Sequence, residues 1–369
     1  MIVIADDITG AAEIAGIAHA AGQPVRLLCG CAASSSNGCS VSCDSVATNG
    51  ITVIATDTRS MTESEAVAET RHIIRALSLE GDGGRFLFKK TDSALRGHVV
   101  AELTALMQAT GYQRAVYLPA NPSKDRTIRD GIYYIKGVPI ADTAFNYDPE
   151  FPAHTSSLKE RFPDAADYGI IMPDAESMDD IQRVIEQYDD GQTLFAGAAD
   201  LFSAISTEAC STSPCSQTSL TSPICPTRLI LCGSTQSHPL DLGITIAPMP
   251  REVYDGERGA DYWFQILTSQ LSPLTSLILT IPHTHRTGRD AAVHLRTVMA
   301  EMAKLLVSRH QPDQLIIEGG ATAWATLQVL GWTEFEIVRQ IAPGVVQMRA
   351  QCGTLVTMKP GSYPWGGLF

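Results

Sequence analysis

The stretch IVIADDITGAAEIAGIAHAA, residues 2–21, decides the fold. Four apolar residues stop at a pair of aspartates, and a helical pattern follows from about Thr9 to Ala21. A short unbroken apolar run suits a strand covered on both faces, the situation inside a parallel sheet. The same alternation continues downstream. VRLLC (25–29) and ITVIA (51–55) read as strands separated by a polar Cys/Ser loop. Residues 63–79 have helical periodicity, RFLF (85–88) reads as a strand, 99–110 as a helix and AVYLPA (115–120) as a strand. Strands alternating with helices of this length predict an α/β fold with largely parallel or mixed sheets.

Ligands of such sheets bind at the carboxyl ends of strands. Three polar clusters fall there: ADD at 5–7, TDTR at 56–59 and KKTDSALRG at 89–97. Asp6 and Asp7 could bind substrate hydroxyls, hold a metal-bound water or act as a general base. Helix capping by Asp7 or Thr9 explains the same residues, and strand alternation turns only one of the two acids toward a cleft. Arg59 could grip a carboxylate bidentately while Asp57 takes a hydroxyl, or the two could simply pair within their loop. Lys89, Lys90, Asp92, Ser93 and Arg96 mix cations and acceptors around Gly97, where backbone can approach a ligand closely. That mixture suits a carboxylate-bearing polyol, with Lys89 expected to be solvated. PANPSKDRTIRDG (119–131) adds Asn121, Lys124, Arg126 and Arg129 to the same mouth, although Lys124 and Arg129 also read as an exposed basic loop.

Residues 203–227, rich in Ser, Thr, Pro and Cys, read as a flexible connection between a domain at 1–202 and another at 228–369. After it, RLILCGSTQS, LTSLILTIP, a long amphipathic helix at 290–310 and QLIIEGGATAWATLQVLG form a second α/β series. Ser234 follows the Cys232-Gly233 turn, and Gly319, Gly320, Ala321 and Thr322 open a helix after a strand. Glycines at such turns let phosphate reach backbone N–H groups at the positive end of a helix. With Met358-Lys359-Pro360-Gly361 near the C-terminus, these turns point to a nucleotide site without a Walker A or GxGxxG motif. IPHTHRTGR (281–289) reads as a polar loop.

At 369 residues the chain favours two domains, and its 44% hydrophobic content supplies their cores. The net charge of −13 argues against a nucleic-acid partner. No apolar run is long enough to span a membrane, and MIVIADD lacks a basic leader, so a cytoplasmic protein is expected. The nine cysteines contain no CxxC pair and are expected as thiols.

These motifs together resemble the four-carbon acid sugar kinase family, formerly a domain of unknown function. The matching stretches are IADDITGAAEIA, ATDTRSM, KKTDSALRGHVVAEL, LPANPSKDRTIRDGIYYIKGVPIADTAF, LFAGAADL, CGSTQS, IEGGATA, IAPGV and MKPGSY, in the family's order over nearly the whole chain. Glu13 stands where members often carry Asp, and Ala94 where Thr is common. The resemblance implies two α/β domains with the active site in an interdomain cleft, acid sugar on the N-terminal domain and ATP on the C-terminal one. The acid-sugar site would draw on Asp6 or Asp7, Arg59, Lys90, Asp92, Ser93, Arg96 and Gly97. Ser234, Gly319, Gly320, Ala321, Thr322 and Gly361 would hold the nucleotide, with Mg²⁺ bridging its phosphates. The implied activity is ATP-dependent phosphorylation of a hydroxyl on threonate, erythronate, 3-oxo-tetronate or a similar acid. In that reaction Arg59 with Lys90 or Arg96 would hold the carboxylate, Asp92 and Ser93 the hydroxyls, and Asp7, then Asp6, would be the base. Alternatives are a kinase of a hydroxylated amino acid or branched sugar acid, and a non-catalytic nucleotide or sugar-acid sensor. A homo-oligomer is compatible with either.

Overall fold

A computed structural model describes residues 1–30, 50–81, 86–148, 151–208, 227–233, 242–270, 276–282, 288–361 and 363–369. The chain divides into two compact units, Met1–Pro214 and Cys215–Phe369. In the first, β1 (Ile2–Ala5), β2 (Val25–Cys29), β3 (Ile51–Ala55), β4 (Leu87–Lys90) and β5 (Arg114–Leu118) alternate with α1 (Ile8–Ala20), α2 (Glu63–Ala76) and α3 (Val99–Thr110). A small antiparallel sheet follows, made of β6 (Arg126–Arg129), β7 (Ile132–Ile135) and β8 (Val138–Pro139). Then come α4 (Leu158–Arg161), β9 (Ile170–Ile171), α5 (Met178–Tyr188), β10 (Thr193–Gly197) and α6 (Ala199–Glu208). The main sheet runs β2-β3-β1-β4-β10-β5-β9 with every pair parallel. All four residues of β1 are buried, as its unbroken apolar run requires.

The second unit carries β11 (Arg228–Cys232), β12 (Thr245–Pro248), α7 (Arg251–Tyr254), α8 (Ala260–Gln270), β13 (Leu277–Thr280), α9 (Arg289–His310), β14 (Gln314–Glu318), α10 (Gly320–Leu330), β15 (Glu334–Ala342), β16 (Val345–Ala350) and β17 (Leu355–Lys359). Its order is β12-β13-β11-β14-β17-β16-β15. The strands are parallel as far as β17, and β17, β16 and β15 pair antiparallel.

Helix ends follow local chemistry. Asp7 caps α1 by accepting from the Gly10 N–H at 2.9 Å. Thr62 and Glu65 form a capping box at the start of α2. That helix stops at Ala76, short of 79, because Ser78 turns left-handed at φ 53°. β4 lies two residues later than RFLF suggests, so Lys89 and Lys90 belong to a buried strand. α6 continues to Glu208, six residues past 202, where the sequence suggests a connection. The rest of that segment, 209–226, lies outside the described residues. Cys29, Cys232 and Cys352 are thiols. Among the described residues no helix is long and apolar enough to cross a membrane.

Candidate active site

Register brings the polar clusters together. β1 lies between β3 and β4, with Ala5 opposite both Ala55 and Lys90. Asp6, Thr56 and Thr91 therefore leave their strands side by side at the carboxyl edge. Asp6 is buried there, and Arg59 reaches it with both arms of its guanidinium, Nε to Oδ2 at 3.1 Å and Nη2 to Oδ1 at 2.8 Å. The same guanidinium lies 3.2 Å from Asp7 Oδ1 and 3.6 Å from Asp92 Oδ1. Arg59 is thus bidentate to a carboxylate, and that carboxylate is the protein's own. Asp57, left-handed at φ 54°, accepts from the Ser60 hydroxyl at 3.0 Å.

The two adjacent aspartates titrate in opposite directions. Burial raises the Asp6 carboxyl above its ordinary range, against the pull of Arg59 and with a push from Asp7. Burial also works to raise Asp7, but Arg59, Lys90 and the Thr9 hydroxyl outweigh it, and Asp7 ends below the ordinary range. Asp92 is held well below: burial opposes ionisation, and Arg96 and Arg59 overcome it.

Asp92 also shapes the turn that follows it. Its Oδ2 accepts from the Ala94 N–H at 2.9 Å and the Arg96 Nε at 2.8 Å, and its Oδ1 from Arg96 Nη2 at 2.9 Å. Leu95 is forced left-handed at φ 62°, and Arg161 holds its carbonyl through Nε and Nη2 at 3.1 and 2.9 Å. Gly97 follows at φ +97°, where a Cβ would stand 3.3 Å from Asp6 Oδ2. Glycine is needed there both for the backbone angle and for the close approach to Asp6. The Ser93 carbonyl accepts from the Tyr133 hydroxyl and its Oγ from Arg126 Nη1 at 2.5 Å.

The two lysines of β4 are both buried, which corrects the expectation that Lys89 is solvated. Lys89 Nζ donates to Glu102 Oε2 at 2.5 Å, and that oxygen also accepts from Thr58 at 2.8 Å. Lys90 Nζ donates to the Thr91 carbonyl at 2.9 Å and lies 3.8 Å from Glu13, which Lys124 also engages. Successive strand residues face opposite ways, so a buried Lys-Lys pair calls for a carboxylate on each side. Glu13 and Glu102, acids set in the largely apolar helices α1 and α3, answer that need, a pairing that reading the sequence assigned to neither. Asn121 is buried and accepts from the Asp200 N–H at 3.0 Å. Arg129 is exposed, as its surface reading expects, but it ends strand β6 instead of lying in a loop, 3.7 Å from Glu176.

In the second unit β11, β14 and β17 are parallel neighbours, so Cys232-Gly233, Glu318-Gly319-Gly320 and Lys359-Pro360-Gly361 leave the sheet at one edge. Gly319 precedes α10 with φ +97° and makes no side-chain cap, leaving the first-turn N–H groups of Gly320, Ala321 and Thr322 directed outward from the helix start. A Cβ on Gly233 would meet Thr322 Oγ1 at 2.1 Å, so only glycine lets the β11 turn approach that helix start. Lys359 is buried beside Glu318, donating to its carboxylate and to the Pro360 and Gly361 carbonyls at 3.2 and 3.3 Å. This pair, which sequence reading did not single out, ties the β14 and β17 turns together. Burial pushes the Cys232 thiol up to about 12, with Glu318 adding to it, so it is an inert thiol. Ser234 and His283, His285 and Arg286 lie outside the described residues.

Residues 1–166 match the family described as a sugar-binding N-terminal domain, and residues 273–363 match that described as a nucleotide-binding C-terminal domain. A D-threonate kinase of Salmonella typhimurium is 32% identical over 162 residues, which cover 43% of this chain and 35% of that protein. Matches of this kind thus span about a third of the relative's length. A 3-oxo-tetronate kinase of Actinobacillus succinogenes is 24% identical over 94% of this chain and 92% of its own. A crystal structure of a Haemophilus influenzae protein of the DUF1537 family superposes with a TM-score of 0.66 and 19% identity, covering 99% of this chain and 97% of that one, a likeness of fold. The chain thus carries a sugar-binding N-terminal domain and a nucleotide-binding C-terminal domain, and it is similar to D-threonate, 3-oxo-tetronate and D-erythronate kinases, enzymes of the four-carbon acid sugar kinase family.

Proposed function

We propose that the chain is a cytoplasmic, ATP-dependent kinase that phosphorylates a hydroxyl of a small, four-carbon sugar acid. The observation that carries this reading is the strand-edge cluster in which buried Asp6, Asp92 and Ser93 stand beside the half-buried Arg59 and Arg96, combining hydroxyl acceptors with guanidinium donors. Support for the nucleotide comes from the second unit, where a Cβ at Gly233 would fill the approach to the uncapped start of α10. Gly319, Gly320, Ala321, Thr322 and Gly361 would hold the phosphates there, and Mg²⁺ would arrive with them. ATP supplies the phosphoryl group, its charge neutralised in part by that ion.

Within the first unit, Asp6, Asp92 and Ser93 accept or exchange hydrogen bonds with the substrate hydroxyls. The attacking hydroxyl gives its proton to a carboxylate as its oxygen bonds to the γ-phosphorus and the bond to the departing ADP breaks. Asp6 suits the base better than Asp7. Its raised carboxyl is the stronger proton acceptor, while Asp7 is committed to capping α1 and to the Thr9 hydroxyl.

The test measures ADP release by the full chain with Mg-ATP and D-threonate, D-erythronate or 3-oxo-tetronate. Equimolar ADP and phosphorylated acid is the expected result with at least one of them. Tight binding of acid and nucleotide with no ADP formed would replace the kinase with a sensor.

A further inference from the structure

An acid sugar needs a cation for its carboxylate, and most cations near the strand edge already face carboxylates. Arg59 is surrounded by Asp6, Asp7 and Asp92. Arg96 serves Asp92 and lies 3.6 Å from Asp148. Lys90 and Lys124 share Glu13, and Lys89 is spent on Glu102. Around Arg59 and Arg96 alone there are more carboxylates than guanidiniums, so a second anion brought there would meet net repulsion.

Arg126 is different. Among the described residues it makes no ion pair with a carboxylate, and its guanidinium makes one hydrogen bond, to Ser93 Oγ. Arginine has five N–H donors in a planar fork, so most of this fork has no acceptor among the described residues. Its position is firmly set. Arg126 opens β6 after the left-handed Asp125, and its backbone pairs on both sides with Asn121, at 2.8 and 3.2 Å. Asn121 is in turn held by the Asp200 N–H, and Asp200 accepts from the Ser123 N–H and hydroxyl at 2.8 and 2.7 Å. The guanidinium stands 5.7 Å from the Phe145 ring centroid, and Arg96 stands 5.9 Å from the same ring. Ser93, its hydrogen-bond partner, is fixed by Tyr133 and adjoins Asp92 in the chain.

The geometry points to Arg126 as the residue that receives the substrate's carboxylate, with Ser93 orienting its fork. This rests on the sugar-acid kinase reading and divides the site into two ends. The acid end lies at Arg126 and Ser93, and the hydroxyl end at Asp6, Arg59 and Asp92, where ionised oxygens repel an anion but welcome O–H donors. Discrimination between a sugar acid and the matching uncharged tetritol then resides in this one arginine.

The experiment titrates D-erythronate and erythritol, and D-threonate and threitol, into the full chain by calorimetry, beside steady-state kinetics with Mg-ATP. Arg126→Ala is expected to weaken binding of the acid and raise its KM about a hundredfold, as for loss of one partner of a buried charged pair. The KM for ATP and the affinity for the tetritol should stay within about threefold, the scatter expected of uninvolved residues. Arg126→Lys keeps the charge without the fork and should fall between, near tenfold. Equal weakening of acid and tetritol would make Arg126 a merely structural residue and overturn the proposal. An unchanged acid KM would overturn it too, with the kinase reading intact. Failure of the wild type to release ADP with any acid would instead sink the kinase reading, while the calorimetric comparison still decides Arg126. Should Arg126→Ala not fold, Arg126→Lys and Arg126→Gln carry the same comparison.

Discussion

Asp6 and Asp7 share one guanidinium and differ in what else they touch. Asp7 has the Gly10 N–H and the Thr9 hydroxyl, whereas Asp6 has Arg59 and a buried site. A carboxyl raised in the folded state holds its proton more tightly than the unfolded chain does. Stability tied to it is full below the ordinary carboxylate value of 3.8 and is lost as pH rises through the raised one. At neutral pH ionised Asp6 therefore costs stability, and Asp6→Asn should leave the melting temperature unchanged or higher. The same substitution should lower kcat by about 10²- to 10⁴-fold, the range of a lost general base. In the wild type, kcat/KM should fall as pH drops through the raised Asp6 value. A melting temperature lowered by several degrees, or turnover near the wild-type rate, would count against Asp6. Much of this site was legible in the sequence because each acid or base stands next to a strand end. What was not legible is who pairs with whom. Arg59 reads as a ligand clamp from its neighbours in the chain, yet its carboxylate partner comes from 53 residues away. Arg126 sits in a basic run like any surface loop, and only the fold shows that among the described residues it acts on Asp92 through its charge without an ion pair of its own.

At the scale of elements, two glycines set how closely turns approach. Gly97 combines a positive φ with the Asp6 carboxylate at its back, and Gly233 abuts Thr322 at the start of α10. Gly97→Ala is expected to cost about 1–3 kcal/mol from backbone strain, and to raise the sugar-acid KM while sparing the KM for ATP. Gly233→Ala should do the reverse, raising the KM for ATP alone, because a Cβ 2.1 Å from Thr322 Oγ1 must displace the helix start. Steady-state kinetics with each substrate varied would show the crossover; the same profile for both variants would refute the division. The strands themselves were readable where apolar runs are unbroken, as in β1, β3, β11 and β14. The elements that escaped are the antiparallel ones and those with short or mixed runs. β6 falls within a stretch that reads as a basic turn, because Ile128 is its one buried residue and arginines stand at both its ends, and β7 buries only Tyr133. β15 and β16 alternate polar and apolar residues, and no helix separates them to announce the pair.

Across the whole molecule, the parallel strands of each unit gather its turns at a carboxyl edge, and each edge has its own chemistry. The first holds ionised acids and guanidiniums, and the second holds glycine turns and an open helix start. Backbone amide exchange should follow that division: a sugar acid slows exchange at 91–97, and Mg-ADP slows it at 319–322 and 361. Protection by Mg-ADP at 91–97 with none at 319–322 would contradict the assignment of ligands to units. The lysines of these sheets add a practical consequence. Lys89 and Lys90 in one unit and Lys359 in the other are at most 4% exposed, so an amine-acylating reagent cannot reach them while their sheets persist. Acyl groups counted by mass spectrometry at Lys89 and Lys90, and separately at Lys359, would time the opening of each unit within the intact chain, with no probe added to the sequence.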